Sequence, residues 1–433
     1  MATKVLGGLL PGMDNYTFWM PPLFFLIQSL FFTILPSSIE IARSINSFIG
    51  LLDIILVISI ARNFGFSLKQ LLLSTILLCT DFLFIKVTHT LRMEGTCLFF
   101  ALLSIYFLSI GFLDRKIKKR EAFLAGLFLS LSFLSHPFAV VYGLPILYLY
   151  WYRSSSWKHI GSSLIAGVLP ILAWAFYIHP EWELFRLQFG AQLSRKNTLL
   201  SEFPIFTKVT IILSAFDSPR WKALSILASL LLFIPIKRKI VVSSLSKFFL
   251  FWTLSVLIFL FLSSESWYVF HIITPFSLLI VSFSEIGYLR YLPNFTIIFN
   301  LFILSKVLLF SFILYNTPAS IEAYFKKIAD SIRGAKSAYI HTIPDPYFYL
   351  EKKYPDLRMR EFLPGQLPVI DKESFEKTIK SQDAFIFYEE ALVNPLILSY
   401  LQNNSELFQK KEIKLETNKK QGLNLKAIIY LKK

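Results

Sequence analysis

Residues 95–134 read GTCLFFALLSIYFLSIGFLDRKIKKREAFLAGLFLSLSFL: two apolar blocks, Gly95–Leu113 and Ala122–Leu134, on either side of the basic linker Asp114–Glu121. Each block is apolar all round, without the wet face that a helix on a soluble core requires. The longer one approaches the roughly 20 residues that cross a bilayer. A short, Lys- and Arg-rich linker between two such blocks stays on the cytoplasmic side, so Asp114–Glu121 orients the chain.

The pattern recurs outward from this stretch. Candidate helices are Met20–Leu35, Ile45–Ala61, Gln70–Ile85, Gly95–Leu113, Ala122–Leu134, Pro137–Trp151, Ile160–Ile178, Lys222–Ile236, Phe248–Leu262, Trp267–Phe283 and Asn294–Tyr315. Of 433 residues 55% are hydrophobic and 17% charged, which excludes a soluble protein. The net charge of +16 sits mainly in inter-helix loops and the C-terminal region. That distribution fits membrane topology and contact with anionic headgroups, not nucleic acid. The two cysteines, Cys79 and Cys97, form neither a disulfide framework nor a metal spacing. The opening MATKVLGGLLPGMDNYTFWMPP lacks the basic start and unbroken apolar core of a signal peptide.

Counting from the basic linker places Ser37–Ser44, Lys86–Glu94, Ser135–His136, His179–Trp221 and Ser263–Ser266 outside. Arg62–Lys69, Arg153–Lys158, Lys237–Lys239 and Glu285–Arg290 then lie inside. Met20–Leu35 has two consistent placements: a spanning helix with the N-terminus inside, or a helix lying in the outer interface. Trp19, Pro21 and Pro22 suit an interfacial start.

From about Thr317 the composition turns polar. Strands are expected at Ser337–His341, Ala384–Tyr388 and Leu425–Leu431, with helices at Tyr347–Lys353, Ser374–Lys380 and Leu396–Leu401. The expected fold is an all-α polytopic membrane domain of about 10–11 apolar helices over residues 1–316, then a small extracytoplasmic α/β domain over 317–433. That domain has no glycine-rich phosphate loop.

Ionisable groups at membrane depth are expensive and are candidates for function. The segment Lys86–Glu94, KVTHTLRME, gathers His89, Arg92 and Glu94 ahead of an apolar helix. It supplies a cation for an anionic group beside a carboxylate able to act as base or metal ligand, or else a structural Arg92–Glu94 ion pair. Ser264–His271, SESWYVFH, holds Glu265, Trp267, Tyr268 and His271, whose aromatics either stack on a sugar or belong to the interfacial belt. His136 precedes Pro137 at an outer turn, where a helix break can line a cavity. The loop His179–Trp221, with Glu181, Glu183, Arg186, Arg195 and Lys196, is long enough to cover a site. Asp53 and Asp81 are intramembrane carboxylates of a kind that often only bonds a neighbouring helix. No zinc spacing, nucleophile elbow or Walker loop occurs.

Several short motifs follow one another in a familiar order. They are Pro21–Leu23 (PPL), Ala42–Ser44 (ARS), Arg92–Glu94 (RME), Gly126–Pro137 (GLFLSLSFLSHP) and Tyr268–Pro275 (YVFHIITP). In this order they resemble the polytopic lipid-phospho-sugar-dependent glycosyltransferases of the GT-C fold, among them the protein mannosyltransferases and the aminoarabinose lipid A transferases. The resemblance covers about Gly8–Tyr315. It implies transfer of a sugar from a polyprenyl-phosphate carrier to a lipid, glycan or protein acceptor on the outer face, usually with inversion. It further implies a bacterial plasma-membrane location, membrane lipid as a partner, and a divalent metal ion or the carrier phosphate held by outer-loop groups. On this basis Glu94 and Arg92 are the catalytic candidates. His89, His136, Glu265, Trp267, Tyr268 and His271 are the substrate-binding ones. The family begins with a membrane helix and an acidic motif, commonly Asp-Glu. Asp14 is the only acidic residue before Pro21 and stands as the remaining catalytic candidate, so either the start lies upstream or the expected base is missing. Other function classes compatible with the same features are a non-catalytic transporter or flippase for lipid-linked glycans and a structural subunit.

Overall fold

The computed structural model describes residues 20–36, 38–110, 112, 117–153, 156–183, 185–190, 244–263, 266–284, 287–315, 321–342, 344–361, 372–390, 393–415 and 425–433. These fall into two compact units, one within Met20–Pro180 and Ser194–Val307, the other within Glu181–Leu193 and Leu308–Lys433. Asp14, Glu265, Arg195, Lys196, Lys237–Lys239 and the expected helix Lys222–Ile236 lie outside the described residues.

The first unit is helical, and its apolar helices make the chain an integral membrane protein. Helix α1 (Leu23–Phe32) has 10 residues. At about 1.5 Å per residue it reaches roughly half the hydrocarbon thickness, which favours the interfacial of its two placements. Helix α2 (Ile39–Asn63) starts where the Ser38 hydroxyl accepts the Ile41 N–H at 3.2 Å, with Glu40 in the first turn and Arg62 in the last. The expected single helix Gln70–Ile85 is instead two, α3 (Leu68–Cys79) and α4 (Phe82–His89), bent by 61°. The physical reason is Asp81, whose carboxylate accepts the Phe84 N–H at 2.9 Å and starts a new helix. Asp81 is thus a capping residue.

Then come α5 (Met93–Ser109) and α6 (Lys119–Ser135), a 3-10 turn at Pro137–Tyr142, α7 (Gly143–Tyr152) and α8 (Trp157–Ile178). After the undescribed stretch follow α9 (Ser244–Ser263), a 3-10 turn at Ser266–Val269, α10 (Phe270–Ser282) and α11 (Leu292–Tyr315). Among the described residues, Glu40–Asn63, Trp157–Ile178 and Leu289–Leu309 are each long and apolar enough to cross a membrane alone, and α3 with α4 passes as one broken span.

Within a bilayer, helices associate through close packing and polar bonds. Ser104 of α5 donates to the Ala125 carbonyl at 2.7 Å, and Ser132 of α6 donates to the Cys97 carbonyl at 2.6 Å. Asn300 of α11 donates to the Leu77 carbonyl at 3.3 Å. Helices α6 and α8 cross at Gly126, where an added Cβ would overlap the Ser163 carbonyl, and at Gly167, where one would sit 3.2 Å from the Gly126 carbonyl oxygen.

The second unit carries helix α12 (Ile321–Ser331), β1 (Ser337–His341), α13 (Tyr347–Lys353), β2 (Arg358–Glu361), α14 (Lys372–Lys380), β3 (Ala384–Phe387), α15 (Pro395–Asn403), β4 (Phe408–Leu415) and β5 (Leu425–Lys432). The sheet order is β2-β1-β3-β5-β4, parallel between β1 and both β2 and β3, antiparallel at β3–β5 and β4–β5. Alternation divides the core between two faces. Ala338, Ile340, Ala384 and Ile386 pack with Tyr324 and Ile328 of α12 and Leu350 of α13. Tyr339, Phe385 and Phe387 pack with Ile379 of α14 and Ile397 of α15. The expected strands and helices all form. Sequence patterning misses α12, β2 and β4, and both strands are charged edges of the sheet: RMRE and FQKKEIKL lack the apolar run of an inner strand.

On that second face Glu390 accepts from Lys410 at 2.6 Å and from the Tyr430 hydroxyl, and these bonds hold its carboxyl below the ordinary 4.5. The interaction therefore contributes at neutral pH and is lost as pH falls below that value. Glu390→Gln is expected to lower stability by about 0–1 kcal/mol at pH 7, with the difference from the unaltered chain closing in acid, as followed by denaturant unfolding across pH. For the membrane unit, Gly126→Ala is expected to destabilise by about 1–3 kcal/mol. Gly161→Ala, where an added Cβ meets nothing within 4 Å, should be neutral or stabilising, and thermal unfolding in detergent compares the two.

Candidate functional site

Arg92 is the extended residue that starts α5, with φ −128° and ψ 145°, and Glu94 lies in the helix's first turn. Unpaired N–H groups and the helix dipole favour an anion there. The Glu94 side chain is fully buried. Arg92 Nε donates to both Glu94 oxygens at 3.0 Å, and Nη2 donates to Oε1 as well, so the two side chains form a forked ion pair. The Arg92 side chain keeps 33% of its surface exposed. Its guanidinium lies 4.1 Å from the centre of the Trp267 ring, and the Lys86 ammonium lies 5.5 Å from the same ring. Trp267 therefore gathers two cations from the two sides of the α4–α5 turn.

Lys86 is the residue that sequence reading passes over as a candidate. It sits in the last turn of α4, and its nearness to Trp267 is tertiary, so no local spacing announces it. His89 stands apart, exposed, with Nδ1 2.8 Å from the Ser47 hydroxyl.

A second cluster adjoins the first through the neighbours Trp267 and Tyr268. His136 is buried, and its Nδ1 accepts the Phe138 N–H at 3.0 Å, capping the 3-10 turn. Its ring meets Tyr268 edge-on at 5.1 Å. His271, fully buried on α10, stacks on Phe138 at 4.4 Å and places Nδ1 2.6 Å from the Tyr142 hydroxyl. Its Nε2 has no hydrogen-bond partner among the described residues, nor do the two carboxylate oxygens of buried Asp53. The structure thus brings Arg92, Glu94 and Trp267 together, joins His136, Tyr268 and His271 beside them, and leaves His89 outside both groups.

Among the described residues no three His, Cys, Asp or Glu side chains gather to hold a metal ion. Both Glu94 oxygens face Arg92 instead. The described residues thus gather no set of three such donors for the divalent ion that the family resemblance implies.

Removing one partner of a buried ion pair leaves the other charge uncompensated, at about 3–5 kcal/mol. Arg92→Ala should therefore lower the unfolding temperature more than the double variant Arg92→Ala/Glu94→Gln does. A double variant at least as unstable as Arg92→Ala alone would remove the ion pair from the account of stability.

The chain's likenesses bear on this arrangement. The model of the dolichyl-phosphate-mannose-protein mannosyltransferase family matches residues 20–179, which include Arg92, Glu94 and His136. No curated protein matches the sequence. ArnT from Cupriavidus metallidurans is similar in structure, in its apo state at 10% identity and bound to undecaprenyl phosphate at 12%. Each alignment has a TM-score of 0.58 and covers 96% of this chain and 88% of the other. The chain, a helical unit followed in sequence by a sheet-containing C-terminal region, has the GT-C fold.

Proposed function

We propose that this chain is a membrane glycosyltransferase that moves a sugar from a polyprenyl-phosphate carrier to a lipid, glycan or protein acceptor on the extracytoplasmic face of a bacterial plasma membrane, with inversion. The observation that carries the reading is the pair of cations, Arg92 and Lys86, gathered on one tryptophan ring beside a buried carboxylate. Two neighbouring cations, one with its fork held by a carboxylate, suit the charge and shape of a lipid phosphate. The solved relative with the same fold was captured with undecaprenyl phosphate, and the mannosyltransferase family model spans the residues concerned.

In the reaction, the bond between the anomeric carbon and the phosphate oxygen breaks, and its electron pair leaves with the phosphate. A hydroxyl or amine of the acceptor forms the new bond from the opposite face and gives up its proton. Charge develops on the departing phosphate, where Arg92 and Lys86 stabilise it most. Glu94 fixes the plane of the Arg92 guanidinium, so the remaining N–H groups are aimed before the donor arrives. Tyr268 and the edge of His136 form the neighbouring wall, a surface suited to a sugar ring. Glu94 receives the acceptor's proton on Oε2, which Nε releases to the acceptor while Nη2 keeps Oε1 and with it the Arg92 plane.

Incubating the purified full chain with radiolabelled polyprenyl-phosphate sugars tests the reading. Consumption of one donor is expected, with Arg92→Ala lowering kcat/KM by about 10²–10³-fold. If no donor is bound or consumed, the transferase reading is lost. Movement of a donor across a vesicle membrane without consumption would replace it with a transporter.

A further inference from the structure

The turn that carries Arg92 is held from outside by one buried amide. Asn46, near the start of α2, is 4% exposed. Its Nδ2 donates to the carbonyls of Thr90, at 2.6 Å, and Arg92, at 3.0 Å. Those two carbonyls bracket the tight turn in which the Arg92 N–H returns to the Thr90 carbonyl at 2.8 Å. One amide thus fixes the 90–91 and 92–93 peptide planes, the Arg92 N–H ties the 91–92 plane between them, and together they set the direction in which the Arg92 side chain leaves the backbone.

The amide is itself held. Asn46 Oδ1 accepts from Gln28 Nε2 at 3.0 Å, and Gln28 is a buried polar residue on α1. Around α1, Leu26, Leu30 and Phe31 are exposed and apolar, as a helix resting in lipid requires. The Gln28 bond also sets the Asn46 amide the right way round, with its nitrogen toward the carbonyls. A hydrogen-bonded path runs from the lipid-facing helix to the backbone of the cation at the site.

We infer that Asn46 is a positioning residue for the carrier phosphate, oriented by Gln28, so that the seating of α1 in the bilayer sets the aim of Arg92. The inference rests on the functional reading above. A residue that merely stabilised the fold would lower the unfolding temperature without changing phosphate binding through Arg92. A residue that acts through Arg92 loses its effect once Arg92 is gone.

The probe is undecaprenyl phosphate, titrated into the full chain in lipid nanodiscs. Asn46→Asp keeps the side-chain shape and the acceptor for Gln28 but removes both donors. It is expected to weaken binding roughly tenfold, the worth of lost hydrogen bonds of ordinary strength. Gln28→Met preserves volume in a buried position, so it keeps the test informative if the aspartate variant does not fold. It should weaken binding by roughly threefold through a misdirected amide. In an Arg92→Ala background neither change should weaken binding further. Unaltered binding in folded Asn46→Asp or in Gln28→Met, or effects that add in full to that of Arg92→Ala, overturns the inference while the functional reading stands. Failure of the unaltered chain to bind undecaprenyl phosphate overturns that reading and this inference together.

Discussion

A bilayer offers no water to a peptide group left without a partner, so a helix that stops inside or beside the hydrocarbon must find protein partners for its end groups. In this chain the closing groups are the polar residues that matter. Asp81 closes the start of α4 after the bend, His136 closes the turn after α6, and Asn46 takes the carbonyls between α4 and α5. Arg153 donates to the Leu108 and Ile110 carbonyls at 2.6 and 3.0 Å, finishing α5 from the other end. The candidate site lies at helix breaks for this reason. Those are the positions where a polar side chain has structural work to do, and where a modest change of direction exposes it to a ligand.

Small side chains make those breaks rigid. An added Cβ at Gly50 of α2 would fall 2.6 Å from the Thr88 Cβ of α4, and the α6–α8 crossing at Gly126 is closer still. With α2 pressed on α4, and α5 tied to α6 through Ser104 and Ser132, the turn between α4 and α5 has little freedom of its own. That confinement lets a single asparagine amide set the angle of an arginine. In a loosely packed bundle the same two hydrogen bonds would yield to thermal motion.

The apolar blocks made the membrane helices legible, because a segment apolar all round has only one solvent in which to be stable. Loop charge offered an orientation on the same footing. The short apolar runs SAYIH and AFIF mark inner strands, whereas the edge strands hide behind charged residues. The bend at Asp81 is not legible in the sequence, because a carboxylate inside an apolar run signals a functional group or an interhelical bond as readily as a cap. At the site, Arg92, Glu94 and Trp267 could be picked out as costly or aromatic groups near helix ends. Lys86 and Asn46 could not. Each matters through a partner far away in sequence, Trp267 for the first and the turn of residues 90–92 for the second.

The uneven burial of the Arg92–Glu94 pair gives the two residues different roles. Glu94 has no water to return to, so opening the pair leaves a desolvated carboxylate at the α5 N-terminus. Arg92 keeps a third of its side-chain surface and loses much less by turning part of its fork outward. Nε and Nη2 can stay with Glu94 while Nη1 meets an anion, since a guanidinium has donors on two edges. The carboxylate then acts as an anchor that does not compete with the ligand for the outer edge. Trp267 covers the flat face, the one direction in which a guanidinium makes no hydrogen bonds. A lysine in place of Arg92 has three donors on one nitrogen and no second edge, so it could not keep a forked bond to Glu94 while turning a separate pair of donors to the phosphate. The planar fork lets one residue hold both, so the proposed function calls for arginine at this position and for the amide that aims it.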